Sequence, residues 1–332
     1  MKKALSLILV LMMMFSLAAC GAKEEPAPEK EEAPKQEAEQ EAPATEEKTI
    51  DSMVYMCATT DNEYFINVAE GCQKFCDEKG ISFEFIGANY DAAEQYSQME
   101  NFMSKGVDAF VICPVDVNAL KDLIEQCAAD GIPVIGQAQE VAGAVGNSIV
   151  DDYQYGVNLG TAAADWINKY LAGEEKVKVC LITLDHQEQV KARGDGMEAT
   201  IKELCPNAEI VYRQKAESTE EGMNVAETAL TAHPDIKVIA CVNDQMALGA
   251  WQAVQNLGLY ADDFYIGGGD NTSQIASYIA DEACAIRQSV DIDPPGSGYT
   301  ACEMAYDILV NGGEGYNHFF EFNPNWQPGV MD

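Results

Sequence analysis

The feature that most limits the fold of this chain is a pattern repeated along its body. A strand-length apolar run is followed by a helix-length stretch with one apolar stripe, and the pair recurs from Ser52 to Gly267. Ser52–Thr59, Ser82–Ile86, Ala109–Cys113 and Pro133–Gly136 read as strands. Between them, Tyr64–Glu78, Ala93–Lys105 and Asn118–Ala129 read as helices; the first carries its stripe on Phe65, Val68, Ala69, Cys72 and Phe75. A second series follows, with strands Val177–Thr183, Ala208–Tyr212, Val238–Val242 and Phe264–Gly267 and helices Arg193–Leu204, Glu220–Ala232 and Gln245–Leu257. Short strands without a polar face, each followed by a helix, imply parallel sheets covered on both sides. Two such series, parted near Val150–Tyr153, imply an α/β architecture of two doubly wound domains. Ligands of open parallel sheets bind beyond the carboxyl ends of the strands. The loops to watch are therefore Thr60–Tyr64, Pro114–Asn118, Gln137–Glu140, Leu184–Arg193, Asn243–Gln245 and Gly268–Thr272.

Ahead of this body stands a secretory leader. Met1-Lys2-Lys3 is positive, Ala4–Phe15 is apolar apart from Ser6, and Leu17-Ala18-Ala19 places small residues before Cys20. The ending resembles a bacterial lipobox, which implies cleavage after Ala19, a lipid thioether on Cys20 and an extracytoplasmic membrane anchor. The apolar run is shorter than the ~20 residues a membrane-spanning helix needs. Ala22–Lys48 is almost wholly Glu, Lys, Ala, Pro and Gln. Such a segment buries too little apolar surface to offset its ordering entropy and reads as a disordered acidic tether. Pro26, Pro28, Pro34 and Pro43 argue against a single helix there. The folded part then begins near Thr49 and leaves about 280 residues, enough for two domains.

A net charge of −35 argues against nucleic acid as a partner and against a helix that docks on anionic lipid. It reads as a solvated acidic surface. Eleven cysteines are many for an exported chain. Cys57, Cys113, Cys180 and Cys241 lie inside apolar runs, where a thiol behaves as a small hydrophobe. No pair has CxxC spacing, Cys72 and Cys76 are poorly placed for a disulfide, and most thiols are expected to be free. The three histidines, His186, His233 and His318, lack metal-ligand spacing, and no phosphate-binding or nucleophile-elbow motif is present. Neither enzyme nor cofactor is expected. His186 alone sits in a loop that could face a ligand.

The loops carry further residues in a telling order: Thr60-Asp61-Asn62-Glu63-Tyr64-Phe65, Arg193-Gly194-Asp195-Gly196, His233-Pro234-Asp235, Asn243-Asp244-Gln245-Met246-Ala247-Leu248-Gly249, Gly267-Gly268-Gly269-Asp270 and Ile286-Arg287-Gln288-Ser289. In that order and spacing the chain resembles the type I sugar-binding proteins of bacterial ABC importers, the ribose-binding group most closely, over about Ile50–Phe322. The resemblance implies two lobes joined by a three-crossing hinge near Asp151, Ser289 and Phe320, with 49–151 and 289–320 in one lobe and 152–288 and 321–332 in the other. It also implies a monomer working with an ABC permease. Asn62 would bond sugar hydroxyls from the first lobe, and Tyr64 and Phe65 would offer flat faces to ring C–H groups. Arg193, Asn243 and Asp270 would bond hydroxyls from the second lobe, and Gln288 near a hinge crossing. Amides and carboxylates together meet the donors and acceptors of a polyol.

Local structure offers other duties for the same residues. Asn62 is also a fitting helix cap, Tyr64 and Phe65 fitting core residues, Asp244 a cap, and Gly267–Asp270 a tight strand exit. Two departures from the ribose group bear on the ligand. Its Asp-Arg pair falls here on Ala138 and Gln139, and an aromatic of its second lobe on Glu217. Gln139 stays among the expected contacts. The class that follows is a neutral sugar or polyol of open identity, with ribose itself disfavoured. A sensor that presents the same ligand to a membrane receptor or kinase has the same sequence signature.

The leader yields a test. Labelled fatty acid should appear on the wild-type protein and not on Cys20→Ser, which should also leave the membrane fraction or remain unprocessed. Absence of label from the wild type would refute the anchor.

Overall fold

The computed structural model describes residues 49–185, 187–259 and 264–320. The leader, Cys20, the tether, His186 and residues 321–332 lie outside the described residues. The first series is β1 (Ser52–Cys57), α1 (Glu63–Lys79), β2 (Ser82–Gly87), α2 (Ala92–Lys105), β3 (Ala109–Ile112), α3 (Lys121–Asp130), β4 (Val134–Ala138) and β5 (Gly146–Val150). The second is α4 (Asp152–Tyr170), β6 (Val177–Thr183), α5 (Glu188–Leu204), β7 (Ala208–Lys215), α6 (Thr219–Ala232), β8 (Ile236–Cys241), α7 (Asp244–Asn256), β9 (Tyr265–Gly269), α8 (Ser273–Ile279) and β10 (Ile286–Val290). The chain ends with α9 (Pro294–Tyr306), a π-helical turn over Asp307–Asn311, and β11 (Asn317–Phe320).

Two sheets result, ordered β2-β1-β3-β4-β5-β11 and β7-β6-β8-β9-β10, and every pairing in them is parallel. Both begin in the 2-1-3-4-5 order of doubly wound folds. The chain leaves the first sheet after Val150. It returns by way of α9, which packs on α1, and β11, which pairs with β5.

β1 shows why the strands read as unbroken apolar runs. Met53, Tyr55 and Cys57 point into one core with Val68, Phe75, Val111 and Ala301, while Val54 and Met56 point into another with Met99, Phe102, Ile112 and Ile124. Alternate residues go to opposite faces and both faces are buried. The second lobe has one continuous core around Val179, Leu181, Ile239, Trp251 and Ile266. The helices are bounded as their residue types require. Asp91, Asp151, Ser218 and Thr272 cap amino ends with side-chain oxygens, and Gly80, Gly106 and Gly131 close carboxyl ends in the left-handed conformation. The ten described cysteines are all free and buried. Burial pushes the Cys180 thiol up to about 12, so it stays protonated and unreactive.

Besides α8 and α9, which the sequence pattern did not reveal, three elements differ from the sequence expectation. α5 starts at Glu188 rather than Arg193, so Arg193 sits inside the helix and not at its opening. β7 continues past Tyr212 to Lys215, because an edge strand tolerates the polar Arg213-Gln214-Lys215. α4 was not legible at all: Gly156 and Gly160 interrupt its pattern. Both glycines lie where α4 crosses α5. A Cβ on Gly156 would drive into the backbone oxygen of Arg193, and one on Gly160 would stand 2.6 Å from that of Met197. Each glycine costs roughly 1 kcal/mol of helix propensity, and close backbone approach is what that cost permits.

This crossing predicts a stability difference. Gly156→Ala should lower the unfolding free energy by about 1–3 kcal/mol through overpacking. Gly173→Ala, at a site with open space around it, should stay within about 0.5 kcal/mol of wild type. Urea denaturation of both variants reads this out, and equal effects would discard the crossing as the cause.

Candidate functional site

The carboxyl ends of the two sheets face a cavity of ≈ 730 Å³. Loops after β1, β3 and β4 line it from one side; the start of α4, the loops after β6 and β7, α5, the start of α7 and the residue after β9 line it from the other. Across the cavity's edge the lobes touch. Asn62 Nδ2 lies 3.4 Å from Gln245 Oε1, and the Ser273 backbone N–H donates to Glu63 Oε1 at 2.6 Å.

On the first lobe, Asn62 is the cap of α1. Its Oδ1 accepts from the Tyr64 N–H at 2.9 Å while its amide nitrogen faces the other lobe. Capping and lining the cavity are thus combined in one residue. Tyr64 and Phe65 meet edge to face with centroids 5.2 Å apart, and both line the cavity while packing on the core behind them. The Tyr64 hydroxyl is fixed by Gln137 Nε2 at 3.0 Å. Gln137 is fully buried; it also accepts from the Tyr55 hydroxyl at 3.0 Å and donates to Ser297 Oγ at 2.9 Å. Sequence reasoning passed over Gln137, although an amide inside an apolar strand was a visible signal. Burial raises the Tyr64 phenol well above its ordinary range. Ala138, which adopts φ +67°, lines the cavity, as does Gln139, whose amide donates to the Pro114 carbonyl at 3.1 Å.

On the second lobe the side chains form one polar network. Arg193 bonds Asp152 Oδ1 through Nε (2.8 Å) and Nη2 (2.6 Å) and the Val242 carbonyl through Nη1 (3.1 Å). Its guanidinium lies 4.2 Å from the centre of the Tyr155 ring. The Tyr155 hydroxyl in turn donates to Asp270 Oδ1 at 3.0 Å. The glycine run before Asp270 makes room for this: a Cβ on Gly269 would collide with the Tyr155 hydroxyl. Asn243 caps α7 through Oδ1 to the Met246 N–H at 3.1 Å and lines the cavity. Asp152 and Tyr155 came from α4, a helix that the sequence pattern hid.

Seven of the eight expected residues thus line the cavity: Asn62, Tyr64, Phe65, Gln139, Arg193, Asn243 and Asp270. Gln288 does not join them. Its strand turns the side chain into the second lobe, where Oε1 accepts from the Tyr265 hydroxyl at 3.3 Å and Nε2 has no partner among the described residues. Asp244 is not the cap that was expected. It is buried, with Oδ2 accepting from Thr272 and Oδ1 from the Ser289 hydroxyl. Glu217 and Asp116 stand exposed at the rim.

The buried carboxylates carry the electrostatics. Burial pushes Asp270 up to about 7, against the pull of Arg193 and the Tyr155 hydrogen bond. Burial likewise raises Asp244, helped by Asp270, and raises Asp152 against the opposing charge of Arg193. Asp270 binds its proton more tightly in the folded than in the unfolded chain. The native state therefore holds the extra proton between pH 4 and 7, and this contribution to stability is lost as pH rises through about 7. Asp270→Asn cannot ionise. Its unfolding free energy relative to wild type should grow from pH 4.5 to 7, on the order of 1 kcal/mol per pH unit, and then level. Asp152 and Asp244 face the same point and titrate in both proteins; Arg193, Tyr64 and Tyr155 hold their protonation there. A difference that is constant with pH in urea titrations would refute the shift.

The family described as periplasmic binding protein domain matches residues 53–314. The chain is 30% identical over 311 residues to the ribose import binding protein of Bacillus subtilis, covering 93% of this chain and 94% of that one. It is 28% identical over 224 residues to the ribose import binding protein of Escherichia coli, covering 67% and 73%. In fold it is similar to an ABC transporter periplasmic solute-binding protein from Actinobacillus succinogenes with bound D-allose, with TM-score 0.72, 24% identity, and 82% and 96% coverage. A Bacillus halodurans solute-binding protein with bound myo-inositol gives TM-score 0.70, 23% identity, and 84% and 95% coverage. The sequence match over nearly the whole chain and the paired parallel sheets agree: this chain belongs to the periplasmic binding protein family, among the type I sugar-binding proteins of the ribose-binding group.

Proposed function

We propose that this chain is an extracytoplasmic lipoprotein, held by Cys20, that captures a sugar or polyol between its lobes and passes it to an ABC permease without chemical change. The observation that carries this reading is the makeup of the cavity wall. Asn62 on one lobe and Arg193, Asn243 and Asp270 on the other offer donors and acceptors, beside the Tyr64 and Phe65 rings. Hydroxyls can take both kinds of bond, and C–H faces can lie on the rings. Among the described cavity residues Arg193 is the one basic side chain, and its pairing with Asp152 disfavours an acidic sugar. The names of the relatives, ribose import binding proteins, support the transport role.

Asn62 and Glu63 make single hydrogen bonds across the cavity. A ligand bonded from both sides adds to so small a link and favours the closed form, the form that presents both lobes together to a permease. A thermal-shift screen of sugars and polyols tests the reading. A ligand at 100 times its Kd adds about 2.7 kcal/mol to stability, and the same ligand should reduce the radius of gyration in solution scattering. Ribose is expected to shift the melting temperature little, since Ala138 and Gln139 stand where the ribose group has a charged pair. A screen without a single binder removes the reading; tight ribose binding removes the inference drawn from those two positions.

A further inference from the structure

The described wall of the cavity carries more acidic than basic side chains. Among the described residues its lining carries the carboxyl groups of Asp116, Asp152, Glu217 and Asp270 and a single basic side chain, Arg193. Arg193 is spent on Asp152 and the Val242 carbonyl. At the rim Glu217 is paired with Lys215 at 2.7 Å. Asp270 has no ion pair among the described residues. It is 6% exposed, it lines the cavity, and the one hydrogen bond to its carboxyl group among the described residues comes from the uncharged Tyr155 hydroxyl. A buried carboxylate with one neutral donor lacks what stabilises it best, a charged donor in contact. Tyr64 and Phe65 add a second attraction for a cation, because ring faces are electron-rich.

We propose that the ligand is a polyol carrying a protonated amine, an amino sugar or an aminocyclitol, with its ammonium group seated on Asp270. This rests on the reading of the cavity as a sugar site, and it departs from the neutral ligand expected from the sequence. The ammonium supplies up to three donors, enough to meet Asp270 and leave bonds for neighbouring oxygens. The hydroxyls of the same ligand fall to Asn62, Asn243 and the free N–H groups of Arg193. An acidic sugar is excluded by the same charges that attract the amine.

The experiment is calorimetry on the full chain at pH 7 with matched sets of ligands that differ at one substituent. Glucose, glucosamine and N-acetylglucosamine form one set; galactose, galactosamine and N-acetylgalactosamine another; myo-inositol and an inosamine a third. In at least one set the amine is expected to bind at least about tenfold more tightly than the hydroxyl compound, with the uncharged acetamide no better than the hydroxyl compound. In Asp270→Asn that preference should vanish. Hydroxyl compounds that bind as well as the amines overturn this inference and leave the sugar reading standing. Absence of binding in all three sets overturns both. A preference for amine that survives in Asp270→Asn overturns the assigned seat. Equal binding of ethanolamine, an amine without the ring, would trace the effect to the net charge of −35 rather than to the cavity.

Discussion

Burial of both faces of a parallel sheet is the constraint from which the rest follows. Met53, Tyr55 and Cys57 and their neighbours Val54 and Met56 must all leave water, so helices have to cover β1 on both sides. Helices on both sides require crossover connections, and these bring every strand to the same end of its sheet. Loops that follow strands therefore collect at one edge. With two sheets in one chain, two such edges can be turned toward each other, and the cavity is the space between them. The apolar runs set this arrangement.

What is then placed at the edge is costly. Asp152, Asp244 and Asp270 are carboxylates withdrawn from water, and burial raises all three. Their neighbours repay the cost in different ways. Asp152 holds an arginine, Asp244 collects hydrogen bonds from Thr272 and Ser289, and among the described residues Asp270 has only a tyrosine hydroxyl. The three therefore differ in what they still lack, and Asp270 is the least satisfied of the cavity residues. Tyr155 ties the set together, since its ring supports Arg193 and its hydroxyl restrains Asp270.

The body of the fold was legible because its signals are local. Continuous apolar strands, capping side chains and terminal glycines each report their own few residues. The parts that were hidden depend on partners far along the chain. α4 reads poorly because its glycines answer to the backbone of α5. The end of β7 depends on its place at a sheet edge. Asp244 reads as a helix cap and Gln288 as a ligand contact, yet tertiary packing turns both into the second lobe. Seven candidate residues reached the cavity wall because a loop following a parallel strand has one place to go. Asp152 and Tyr155, which decide how Arg193 and Asp270 are held, could not be found without α4.

The double duty of Asn62 and Asn243 has a consequence for how such a site diverges. Each begins a helix with the same amide that faces the cavity. Replacing a cap costs about 1 kcal/mol of stability whatever it does to a ligand. Gln139 and Glu217 also line the cavity, but neither caps a helix or belongs to a core cluster. Change is cheap at the second group and expensive at the first. Over evolutionary time the ligand can be exchanged through a few unencumbered positions, while the residues that grip any polyol are kept by the folding of the helices they start.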